Sequence, residues 1–237
     1  MPRFISWFSL LPVLFVTAFQ VQADGFGINA TRLIYPENAS SISLTLRNTQ
    51  PHTPYLVQTS ISRQQQTLEP APFTVTPPLF RLEPISVNQL RIAFTGASLP
   101  GNRESVFYLH AKAIPAGTQA GASQQDDGVQ GSARFGVGNI IKLFYRPAGL
   151  RGSAEEAQQG LQFTRVSGGL QVSNPSPYFV SLAMLEADGK KLALDTPAAL
   201  MLAPEGSHTW PVSAVRQVKW QTINDTGGTS AFNATLP

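Results

Sequence analysis

The stretch FGVGNIIKLFYRP, Phe135 to Pro147, decides how the rest of the chain is read. Its aromatic and β-branched residues favour an extended strand, and Pro147, with no backbone N–H to give, ends the ladder. Lys142 sits in the middle of that apolar run. An ammonium lodged in a strand core costs several kcal/mol unless something negative meets it. The lysine therefore receives an anion from outside, pairs with a carboxylate of its own chain, or snorkels from an edge strand to water. Just upstream, Ala133, Phe135 and Val137 fall on one face and Arg134, Gly136 and Gly138 on the other, as in a half-buried strand. Phe135 and Val137 would each contribute roughly 1.5 to 3 kcal/mol if fully buried. Their destination is either this protein's own core or a groove on another polypeptide.

Outward from this strand, short alternating apolar runs separated by Pro, Gly and Asn clusters continue in both directions, and no segment sustains a helical period over three turns. The predicted strands are Gly27 to Tyr35, Ile42 to Asn48, Tyr55 to Ile61, Leu79 to Leu82, Gln89 to Phe94, Ser105 to Ile114 and Ala133 to Tyr145. Seven strands at this spacing match an immunoglobulin-like Greek-key sandwich. A second, shorter set, Gln162 to Thr164, Gly169 to Ser173, Phe179 to Glu186, Lys191 to Leu194, His208 to Val212 and Val218 to Ile223, predicts another sandwich, with Trp210 and Trp220 in its core. The fold class is all-β. Between the two sets, Pro147, Gly149 and Gly152 permit a bend, which places the domain boundary near residue 149 and gives domains 24–148 and 149–237. Ala116 to Gly131, rich in Gly, Gln, Ser and Asp, reads as a long flexible loop, and Ala231 to Pro237 carries no strand pattern.

The first residues set the compartment. Arg3 supplies a small positive region, Phe4 to Phe19 is a short apolar run, and Val21-Gln22-Ala23 is a small-residue cleavage signal, so residues 1–23 read as a signal peptide. The apolar run is short for a span of roughly 20 residues. There is no cysteine, which excludes disulfides and thiolate metal sites and fits a bacterial periplasm. Lysine and arginine exceed the acids only by 17 to 14, too little to point to nucleic acid or an anionic membrane.

Catalytic patterns are absent. His52, His110 and His208 share no metal-ligand spacing and read as surface or half-buried strand residues. Gly96-Ala97-Ser98-Leu99-Pro100 approaches a nucleophile elbow but lacks the final glycine and the following helix. Gly136-Val137-Gly138 precedes a strand, not a helix, and lacks the third glycine of a dinucleotide fingerprint. With no paired catalytic carboxylates and no Ser/His/Asp arrangement, an enzyme is disfavoured.

Six blocks then fall in a recognisable order: Ala30 to Pro36 (ATRLIYP), Thr76 to Pro78 (TPP), Arg103 to Tyr108 (RESVFY), Ile140 to Pro147 (IIKLFYRP), Asn174 to Tyr178 (NPSPY) and Ile223 to Gly228 (INDTGG). The chain resembles the periplasmic pilus (fimbrial) chaperones of the chaperone-usher pathway over essentially all of its length beyond residue 23. The resemblance implies two immunoglobulin-like β-sandwich domains in a boomerang arrangement and a non-enzymatic function: binding, stabilising and delivering fimbrial (pilin) subunits to an outer-membrane usher by donor-strand complementation. It implies no cofactor, no metal and no small-molecule substrate. The alternatives from other classes are a fimbrial structural subunit and a secreted β-sandwich binding protein.

Carried over residue by residue, the resemblance makes Arg32 and Lys142 the anchor for the subunit's C-terminal carboxylate. Two cations brought together repel unless an anion joins them, so a carboxylate is also the partner that physics would choose. It makes Ala133, Phe135 and Val137 the donor face, and Glu104, Arg146 and Asp225 an ion network between the domains, with Arg146 bridging two carboxylates through its forked donors. The sequence departs from the pattern at Ala133, where relatives carry a bulkier aliphatic residue, and at Thr226, where many have tyrosine. Pro77-Pro78 makes a rigid turn, with a cis bond implied by the resemblance.

Overall fold

Strand after strand in the first half places a large apolar side chain on every second position, and the chain folds so that these rows face one another. The computed structural model describes residues 25–67, 69–116, 135–213 and 215–236; the signal peptide, Ala133 and nearly all of the predicted 116–131 loop lie outside them. The first sandwich contains β1 (Phe26–Ile28), β2 (Arg32–Pro36), β3 (Ile42–Asn48), β4 (Tyr55–Ser62), β5 (Phe73–Thr76), β6 (Leu79–Leu82), β7 (Ser86–Phe94), β8 (Ser105–Pro115) and β9 (Val137–Arg146). One sheet has the order β1-β3-β7-β5 and the other β2-β9-β8-β4-β6. β4 alternates buried and exposed residues from Tyr55 onward, as a strand with one face on a core must. Leu46, Val57, Leu90, Ile92, Leu109 and Leu143 meet between the sheets, each fully buried.

The second sandwich follows with α1 (Ala154–Gln159), β10 (Gln162–Val166), β11 (Gly169–Ser173), β12 (Val180–Ala187), β13 (Lys190–Lys191), α2 (Pro197–Leu200), β14 (Met201–Leu202), β15 (Ser207–Trp210), β16 (Gln217–Ile223) and β17 (Thr229–Thr235). A three-stranded sheet, β10-β11-β15, packs over β13-β12-β16-β17, and β14 pairs the start of β12. Trp210 and Trp220 are both buried in this second core, as their sequence context predicts. The linker is pinned at its first turn: Glu37 donates its backbone N–H to the Arg146 carbonyl (2.9 Å), and its side chain accepts from the Ala148 N–H (2.7 Å). Gly149 follows at φ 76°, a left-handed conformation that glycine adopts without strain. The Thr76–Pro77 bond is cis.

Several expectations need correction. The strand predicted over Gly27 to Tyr35 is two strands in two different sheets: β1 pairs antiparallel with β3, and β2 pairs parallel with β9. The crossing at Asn29 to Thr31 lets one chain segment close both layers. β5 escaped notice because it has only four residues, of which Phe73 alone is buried. The end of the chain does form a strand, β17, which pairs with β16 along its whole length from Ile223↔Thr229 to Gln217↔Thr235. Its small polar residues hide the pattern, and the partner strand imposes it. The strand predicted over Lys191 to Leu194 shrinks to Lys190–Lys191. His110 is buried rather than half-exposed: Ser62 donates its hydroxyl to the Gln64 carbonyl (2.5 Å) and so accepts from His110 Nε2 (2.7 Å).

Candidate functional site

β9 is paired on both sides only in its second half. Against β8 it runs in register from Ala113↔Val137 to Ser105↔Tyr145, but β2 covers only Lys142 to Arg146. Among the described residues, Val137 to Ile141 therefore carry an open edge, with backbone donors and acceptors directed into a vacated lane. The opening follows from the sheet crossing: where β2 would have continued, the chain has left for the other layer. Beside this edge an open cavity of about 1180 Å³ separates β1 from the start of β9, lined by Phe26, Tyr55, Val87 and Val137 among others.

Of the residues expected to form the donor face, Phe135 and Val137 lie where an incoming strand could reach them. Odd-numbered residues of β9 face the core side, and along that row burial fades from Leu143, fully buried, through half-buried Ile141 and Asn139 to Val137 at 47 % exposure. Phe135 beyond it is 84 % exposed. Neither Phe135 nor Val137 belongs to the protein's own core, so the internal destination left open by the sequence does not apply. Ala133 lies outside the described residues.

At the upper end of the lane sit the two cations. Arg32 opens β2 and is the rung partner of Lys142 across the parallel ladder, so both side chains leave the same face of the sheet. Arg32 donates from Nη1 to the carbonyl of Ile223 at the end of β16 (2.8 Å), and its guanidinium lies over the Phe144 ring (5.6 Å). Its Nε is buried without a hydrogen-bond partner. Lys142, half-buried, makes no hydrogen bond or ion pair among the described residues. Burial first, and then the neighbouring guanidinium, hold the Lys142 ammonium below its ordinary pKa. Arg32 is likewise lowered by burial, with Asp225 and Glu104 pulling the other way. Two adjacent, partly desolvated cations with an unused donor are chemically suited to receive an anion.

Glu104, Arg146 and Asp225 come together across the domains. Arg146 Nε donates to Glu104 Oε1 (2.7 Å), while Nη1 and Nη2 donate to the two carboxylate oxygens of Asp225 (2.7 and 3.1 Å). Glu104 is almost wholly buried and its other oxygen accepts from the Phe179 N–H of the second sandwich (2.8 Å). Burial pushes the Glu104 carboxyl up, against the pull of Arg146 and of the Phe179 amide. Arg146, despite its own burial, is raised well above the ordinary arginine value by hydrogen bonds and charge from the two carboxylates.

Sequence reasoning missed the groups that act through the main chain: the Ile223 carbonyl, the Phe179 amide and the Glu37 brace on the linker. Backbone groups leave no residue-type signature, so none was available for the first two. A tilted ring contact between Phe144 and Phe179 (centroids 5.8 Å apart) also spans the domains. Among the described residues no group of His, Cys, Asp and Glu side chains gathers to hold a metal.

Comparison with known proteins agrees with this architecture. Residues 25–151 match the model of the pili and flagellar-assembly chaperone PapD N-terminal domain, and residues 156–234 match that of the pili assembly chaperone PapD C-terminal domain. The probable fimbrial chaperone protein ElfD of Escherichia coli K12 is 36% identical over 214 residues, covering 89% of this chain and 86% of its own. Chaperone protein LpfB of Salmonella typhimurium is 34% identical over 230 residues, covering 95% and 94%. The crystal structure of the E. coli chaperone DraB superposes with a TM-score of 0.75 at 33% identity, covering 90% of this chain and 97% of that one. The SafB chaperone of Salmonella enterica, solved in complex with the SafA pilin, gives 0.75 at 29% identity, covering 91% and 98%. This two-sandwich chain, with its vacated strand lane, belongs to the PapD family of pilus-assembly chaperones, a non-enzymatic family of the chaperone-usher pathway.

Proposed function

We propose that this protein is exported to the periplasm by residues 1–23, binds fimbrial subunits there by donor-strand complementation and delivers them to an outer-membrane usher. In this reading residues 24–148 form the subunit-binding domain and residues 149–237 the second domain. The observation that carries it is the vacated lane beside Val137 to Ile141, ending on Arg32, whose buried Nε has no hydrogen-bond partner, and on Lys142, which makes no ion pair among the described residues. A client strand fits that lane in one direction. With its terminal carboxylate on the clamp and its preceding residues beside Val137 to Ile141, it runs parallel to β9, in line with β2. Ala133, Phe135 and Val137 then enter the client's groove, which an incomplete sandwich would otherwise expose to aggregation. Glu104, Arg146 and Asp225 hold the two domains at the angle the cleft requires. This geometry also separates the chaperone reading from a fimbrial subunit, which would need a groove of its own.

Affinity purification of the tagged protein from the periplasm tests the reading. A co-purifying fimbrial subunit is expected, released when Arg32 and Lys142 are both replaced by Ala. Recovery of the protein without any subunit from fimbriated cells, or undiminished recovery of the subunit with the double variant, would overturn it.

A further inference from the structure

We propose that the β16–β17 turn of the second domain, Asn224 to Gly228, sets the direction of Arg32, and that Gly227 is the positioning residue that lets the turn seat against β2. The inference rests on the carboxylate-clamp reading of Arg32 and Lys142.

Among the described residues, the Arg32 guanidinium makes its one hydrogen bond to Ile223, the last residue of β16. A long side chain on the first residue of a strand has many rotamers open to it, and that bond selects one. The carbonyl is in turn held by the tight turn behind it: Asn224 donates its N–H to Gly228 (2.8 Å), Gly227 donates to Asn224 (3.0 Å), and Asp225 is tied to Arg146. Where the turn meets the first domain there is no room for a side chain. Gly227 has φ 87°, and a Cβ built there collides with the Thr31 hydroxyl oxygen, with the Thr31 Cβ already at van der Waals contact (3.5 Å). Thr31 is the residue immediately before Arg32. The second domain thus reaches the clamp through a contact one glycine thick. A side chain at residue 227 strains the turn and also wedges it off β2, carrying the Ile223 carbonyl away from Arg32. The client's anchor is then aimed by a domain that need not touch the client.

Two variants separate this role from plain turn stability. Gly227→Ala wedges the contact from the turn side; Thr31→Leu wedges it from β2 and leaves the turn's own φ untouched. The first readout needs no client. Burial is the larger cause of the lowered Lys142 pKa and the Arg32 charge adds to it, so an NMR titration of the Lys142 side chain in the purified protein responds to where Arg32 points. Both variants are expected to move that titration up toward 10.5 and to lower recovery of periplasmic subunit roughly tenfold or more, as loss of one charge-assisted hydrogen bond would. Adding Thr31→Gly to Gly227→Ala is expected to restore both. An unchanged Lys142 titration in both wedged variants overturns the inference, as does a loss of recovery that relief at residue 31 leaves untouched. If the unaltered protein carries no subunit, the clamp reading fails separately, and the titration still decides what aims Arg32.

Discussion

On the proposed anchor, Lys142 is costly to the unloaded protein and useful to the loaded one, and the two states should answer to pH in opposite ways. Burial and Arg32 place its folded pKa below the unfolded value of 10.5. Between those two values the unfolded chain binds more protons than the folded chain, so the free protein's stability rises with pH across that window. A bound carboxylate favours the charged ammonium, so client affinity falls across the same window. Thermal melts of the free protein and dissociation of its complex, measured over the same alkaline series, should diverge; parallel trends would remove Lys142 from the anchor. Phe135 offers a complementary test. Being 84 % exposed, it contributes little to its own fold, so Phe135→Asp should leave the melting temperature nearly unchanged and abolish subunit recovery. A clear drop in melting temperature would return Phe135 to the internal core. At this scale the sequence is unevenly informative. Lys142 draws notice by its own chemistry, a charge in an apolar run, whereas Thr31-Arg32-Leu33 is an ordinary strand opening whose importance comes from its partners in the fold, β9 and the β16–β17 turn.

The element that matters most is half a strand. Among the described residues, residues 142–146 of β9 have neighbours on both sides, and residues 137–141 have one. Amide hydrogen exchange should reflect that split: the lane-facing amides among residues 137–141 exchange freely in the unloaded protein and become protected in the complex, while those of residues 142–146 are slow in both. Equal protection along the whole of β9 before loading would mean the lane is already filled. The open edge depends on the one place where the periodicity misleads most. Gly27 to Tyr35 alternates well enough to pass for a single strand, and nothing in its pattern marks the crossing at Asn29 to Thr31, because each half satisfies a different partner. β17 is the opposite case: Thr229 to Thr235 says little by itself and is made a strand by hydrogen bonds to β16. α1 did carry a local sign, Ser153 and Glu156 in a reciprocal capping box, but at six residues it leaves no helical period to detect.

Across the whole molecule, Arg146 ties the two sandwiches together through carboxylates of both. Glu104 is nearly inaccessible, and removing its cation strands a buried carboxylate, at a cost of about 3 to 5 kcal/mol. Arg146→Met should therefore lower the melting temperature and broaden the interdomain distribution seen by small-angle scattering. With the arginine gone, the Glu104 pKa should rise further from its already raised value. Since a carboxyl with a raised folded pKa gains stability as pH falls through that value, part of the loss should return on mild acidification. A variant with unchanged scattering would show that Phe144, Phe179 and the Glu37 brace suffice to set the angle. The parallel pairing of β2 with β9 stops at the Arg32↔Lys142 rung, directly above the open lane. On the proposed carboxylate anchor, a guest laid in that lane would be counted backward from its final residue, so its alignment would be dictated by where its chain stops and not by which side chains precede that point. One ruler with a fixed zero can therefore measure many different guests, and sequence diversity among them need not blur the fit.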